Sequence, residues 1–153
     1  MEKHEKIFEK IKELLIRLFP NELTEIEEEN HISIGDTGIW IMSDSRELTV
    51  GYGLTHIHCD PKYDDLSEVV DLFFNLLTCK KQITKFYKGD FSYKHRTDLL
   101  LADNEIYNIG TAMTWLFPYW KKTTSKVQIE DEIIELDKIK KDIDEIKTLH
   151  NNV

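Results

Sequence analysis

Cysteine is scarce in this chain. Cys59 and Cys79 are the only two, without the CxxC spacing of a zinc site or a redox pair. They exclude a disulfide framework and read as reduced, mostly buried thiols. Long apolar runs are missing as well. The longest, of four residues as at Leu99 to Ala102, fall far short of the ~20 residues a membrane helix needs, which argues against a transmembrane segment or a membrane partner. The opening MEKHEKIFEKIKELL lacks the hydrophobic block and small-residue cleavage site of a secretory signal, so a cytoplasmic location is expected. Positive charge is in deficit: 20 Lys and Arg stand against 29 Asp and Glu, a net charge of -9. That balance opposes binding to nucleic-acid phosphates and favours a basic protein partner. The GxSxG elbow, the GxxxxGK[ST] phosphate loop, HExxH and GxGxxG are all absent, so no catalytic residue is assigned.

What is present is enough for one core. The 153 residues include 18 Ile, 16 Leu, 5 Val and 7 Phe, the size and apolar content of a single domain spanning 1–153. Ile7, Phe8, Ile11, Leu14, Leu15 and Leu18 recur at helical spacing and predict an N-terminal helix ending before Pro20. Leu23 to Ser43, broken at Asn30 and Gly35–Gly38, reads as two or three antiparallel strands, and Leu48 to Asp60 as another strand. Asp64 or Asp65 caps a central helix that runs through Cys79. Gln82–Lys88, Phe91–Leu101 and Glu105–Leu116 form a three-strand meander, and a C-terminal helix covers about Glu130 to Leu149. The fold class is therefore α+β, with a mainly antiparallel sheet and N-terminal, central and C-terminal helices. KKTTSK at 121–126 reads as a linker, which makes 127–153 a helix that either docks, detaches or supports a homodimer.

Charge is segregated along the chain. Residues 80–126 hold nine basic and four acidic groups, whereas every other stretch is acidic, with Glu22, Glu25, Glu27, Glu28 and Glu29 the densest run. His56, His58 and Asp60 form HxHxD at the end of a predicted strand, where a period of two puts them on one face. Two imidazoles and a carboxylate can hold a divalent transition metal, the alternative to sheet-face residues that meet a protein. Without it, no cofactor is called for. Gly51 and Gly53 of GYG suggest a strand bulge or a close backbone approach. Trp115, Phe117, Tyr119 and Trp120, beside Pro118, Lys121 and Lys122, read first as core closure that anchors the last helix, and otherwise as a protein interface or a base-stacking surface.

ELTVGYGLTHIHCD, followed by DDLSEVVDLFFNLLTCKKQITKFYKGDFSYKH, resembles small bacterial immunity proteins of polymorphic-toxin systems, over Glu47 to His95. The resemblance implies a noncatalytic intracellular protein that binds and blocks a cognate toxin, commonly a nuclease. On that reading the partner is a basic toxin, and the contact residues are Glu25, Glu27, Glu28, Tyr52, His56 and His58. The competing expectation is a metal-dependent enzyme built on His56, His58 and Asp60.

Overall fold

The computed structural model describes residues 1–26 and 30–151. Glu27 and Glu28, two of the expected contact residues, lie outside the described residues. The chain is a single α+β unit with two antiparallel sheets. Helix α1 spans Lys3–Leu18, and Glu5 accepts a bond from the Glu2 N–H at 2.6 Å, which satisfies one free helix-terminal donor. Strands β1 (Leu23–Ile26), β2 (His31–Ile34), β3 (Ile39–Ser43), β4 (Leu48–Tyr52) and β5 (Thr55–Cys59) follow as a five-stranded meander in sequence order. Leu48–Asp60 is thus a hairpin rather than one strand. Gly53 takes φ +59° at the turn, a value an L side chain adopts only under strain, and Leu54 beside it is exposed.

Helix α2 (Leu66–Thr78) starts at Asp65, whose carboxylate accepts from the Ser67 N–H at 2.8 Å. Its Val69, Val70, Phe73, Leu76 and Leu77 pack with Ile7, Ile11 and Leu15 of α1 beneath the inner face of the first sheet, where Ile32, Ile34, Ile39, Ile41, Leu48 and Val50 are buried. One contiguous core results.

The second sheet has the order β8-β7-β6-β9, with β6 Lys80–Lys88, β7 Phe91–Leu100, β8 Ile106–Met113 and β9 Thr123–Glu130. The expected linker at 121–126 is therefore largely strand, since β9 pairs with β6 from Thr123↔Lys88 to Glu130↔Lys81. Helix α3 accordingly begins later than expected and spans Leu136–Asn151. Its Ile139, Ile143 and Ile146 are buried in the same core, and Arg17 of α1 holds Asp142 at 2.5 Å. Lys147 likewise pairs with Asp71 of α2. Only the root of the second sheet reaches the core, through Leu99 and Ile109; toward the other end its strands carry half-exposed and exposed residues, so it projects as an arm.

Candidate binding surfaces

The outer face of the first sheet carries an aromatic row. Alternation in β2 and β3 sends Ile32, Ile34, Ile39 and Ile41 inward, which forces His31 and Trp40 outward. Trp40 stands opposite Gly51 on β4, and Gly51 stands opposite His56 on β5. The indole lies across that glycine: a Cβ on Gly51 would fall 2.1 Å from Trp40 Cε2. Glycine is required here by close approach. The missing side chain lets Trp40 span β4 and reach β5, and its Nε1–H donates to the Gly53 carbonyl at 3.0 Å. Ring centroids then run 5.5 Å from His31 to Trp40, 5.8 Å on to His56 and 4.8 Å to His58. His58 Nδ1 is tied to the Glu47 carboxylate and lies 3.1 Å from the Thr49 hydroxyl, which fixes the last ring.

Parity separates the expected contact residues. His56 and His58 share this outer face, whereas Glu25 is paired with Ile32 and Tyr52 with Ile39, which puts both on the inner side. Glu25 binds Lys12 of α1. Tyr52 donates its hydroxyl to Glu130 Oε2 at 2.7 Å across the two sheets, and its ring lies 5.8 Å from the ammonium of Lys81, which is buried. Burial, followed by the bond to Glu130, pushes the Tyr52 phenol well above its usual range, and burial pulls Lys81 below the ordinary lysine value. Asp60 sits beyond the end of β5, where its carboxylate caps a turn by accepting from the Lys62 N–H at 2.9 Å. Among the described residues no three His, Cys, Asp or Glu side chains converge in a metal-holding group.

A second surface lies at the end of the arm, in the 114–122 loop between β8 and β9. The reading of these aromatics as core closure does not hold: Trp115 is 82% exposed, Tyr119 76% and Trp120 73%, with Leu116 and Met113 exposed beside them. Among the described residues they are not part of the core that holds α3. The loop is nevertheless held in place. Phe117 packs on Tyr93 at 4.6 Å, the Thr114 N–H donates to the Tyr93 carbonyl at 2.9 Å, and the Gly89 N–H donates to the Lys122 carbonyl at 3.1 Å. Lys121 and Lys122 lie within it, Lys94 stands opposite Met113 and Lys88 opposite Thr123 at its two ends, and the nearest acids in sequence are Glu105 and Glu130. Large exposed apolar patches rimmed by charge mark interaction sites.

No family model, no curated protein and no solved structure matches this chain. Function therefore has to be argued from these surfaces. Trp40 was the residue that sequence reasoning passed over for the outer row, and Gly51, expected at a bulge or a close backbone approach, instead admits the indole. The signal for Trp40 was present in the alternation Ile39-Trp40-Ile41, but the crossing of β4 depends on the strand register. Cys59 closes the first sheet as a buried thiol, pushed up to about 11 by burial and the nearby carboxylates Asp64 and Asp65, and it offers no nucleophile near neutral pH.

Proposed function

We propose that this chain is a noncatalytic binding protein of the immunity type, which neutralises a toxin by seating it on preformed aromatic surfaces. The observation that carries the reading is the pinned but exposed aromatic loop at the end of the arm. Trp and Tyr supply large contact area at low entropic cost, which is why they dominate the centres of protein interfaces. Here the flanking Phe117–Tyr93 contact has already ordered the loop before any partner arrives.

The charge distribution describes the partner. Lysines lie within the loop and at both of its ends, so the patch it enters is acid-lined, while the acidic remainder of the molecule faces basic surface. A nuclease toxin combines both features, with carboxylates at its centre and a basic groove for nucleic acid around them. The outer row at His56 and His58 supplies a second, flatter contact on the same partner, as the resemblance to immunity proteins implies.

The experiment is capture of the tagged full chain from its own cells at moderate salt, run beside the W115A/W120A variant. The expected result is one partner held one-to-one by the wild type, lost by the variant, and toxic to cells unless this chain is supplied. A partner that is harmless alone, or one held equally by the variant, overturns the reading.

A further inference from the structure

Strand β9 is an open edge. Among the described residues β6 occupies one side of it and no strand occupies the other. All of Thr123–Ile129 is exposed, the strand contains no proline, and its only charges are Lys126 and Glu130. The devices that usually blunt an edge are thus nearly absent over eight residues.

We propose that β9 pairs antiparallel with β9 of a second copy of this chain, about a two-fold axis passing through Gln128. The side chains select this register. Lys126, Gln128 and Glu130 share one face of β9, and Val127 and Ile129 share the other. A two-fold axis normal to the sheet keeps each face on its own side, and each contact occurs twice. With Gln128 opposite its own mate, Lys126 stands opposite the partner's Glu130, and Val127 opposite the partner's Ile129. Two ion pairs form on one face and a block of four β-branched side chains on the other. The alternatives are poorer: centring on Lys126 sets ammonium against ammonium, and centring on Val127 leaves Lys126 opposite the partner's Gln128. Glu130 remains competent for this role, because its bond to Tyr52 uses Oε2 and leaves Oε1.

The apolar block also accounts for two otherwise wasted residues. Val127 is 59% and Ile129 48% exposed in the isolated chain, and pairing lays them side by side across the new strand boundary. The result is an eight-stranded sheet made of the two arms. This inference does not rest on the toxin-binding reading, and the V127K and I129E variants leave the aromatic loop untouched.

Sedimentation of the full chain tests it, with V127K and I129E as variants at exposed positions whose far-ultraviolet circular dichroism reports the fold. The wild type is expected to approach twice the 18.1 kDa chain mass at high micromolar concentration. Each variant alone is expected to dissociate about tenfold more readily. Mixing V127K with I129E is expected to restore the dimer, because the register sets the introduced ammonium of one copy opposite the introduced carboxylate of the other. A Q128C variant should crosslink to itself on oxidation, since paired Cα atoms on neighbouring antiparallel strands lie at disulfide distance. A wild type that stays monomeric overturns the proposal. So does a dimer indifferent to V127K, which would place the interface on another element, and so does a mixture that fails to recover.

Discussion

Gly51 shows how one absent side chain shapes a surface. Any Cβ there meets the Trp40 indole, so G51A is expected to lift the ring away, break its bond to the Gly53 carbonyl and cost about 1–3 kcal/mol of stability through overpacking. Urea unfolding followed by tryptophan fluorescence reads both effects; an unchanged midpoint and spectrum would refute them. Lys81 makes a different prediction. Its folded pKa lies below the unfolded value of 10.5, so between the two the unfolded chain binds the extra proton. Stability is therefore expected to climb as alkaline pH rises through that interval. Tyr52 acts in the opposite sense above 10.0, where the unfolded phenol ionises and the buried one resists. K81M should remove the climb and leave the Tyr52 loss, a difference visible in urea midpoints across the alkaline range. Cys59, with its raised thiol pKa and 3% exposure, should stay unlabelled by iodoacetamide at neutral pH until the protein unfolds. Labelling at Cys59 in the folded protein would contradict that placement.

At the scale of elements, stability and exposure diverge. Asp65 caps α2 beneath the first sheet, and D65A is expected to lower stability by about 1 kcal/mol, measurable as a fall in Tm. W115A and W120A should each cost much less, within about 0.5 kcal/mol, because these rings are largely exposed. The same divergence decides how much could be read from sequence. Helices α1 and α2 were legible because each buries a stripe at helical spacing. Strand β9 was not, because KKTTSK at 121–126 carries no apolar residue and reads as a linker, and the short alternation at Val127 and Ile129 falls to the C-terminal helix segment. The β4–β5 turn was hidden for a related reason: Gly53-Leu54 supplies no polar break in an otherwise strand-like run. As for the candidate site, His56 and His58 were correctly placed together by their spacing of two. Their grouping with Glu25 and Tyr52 needed the register between separate strands, which spacing within one segment does not contain. The aromatics near Trp115 were visible as a cluster, but hydrophobicity alone does not say whether a cluster turns inward.

For the molecule as a whole, α3 completes the core rather than decorating it. Ile139, Ile143 and Ile146 lie against α1 and α2, and each buried isoleucine contributes about 1.5–3 kcal/mol relative to exposure. That sum is comparable to the entire stability of a domain this size. Among the described residues no helix is long and apolar enough to cross a membrane. The arm also differs in charge from the first sheet and its loops, since residues 80–126 hold nine basic and four acidic groups and residues 31–79 two basic and eight acidic. Strand β6 is nine residues long, and at a strand's rise this spans roughly 30 Å. The lysines at its far end are thus several screening lengths from the acid-rich stretch 31–79 beyond its root, since that length is about 8 Å in physiological salt. A nearby charged object consequently responds to whichever end it meets and not to the average of -9. In an external field such a body behaves as a compass needle: it rotates before it collides, and it adheres to a cation-exchange surface by one end while its total charge predicts repulsion.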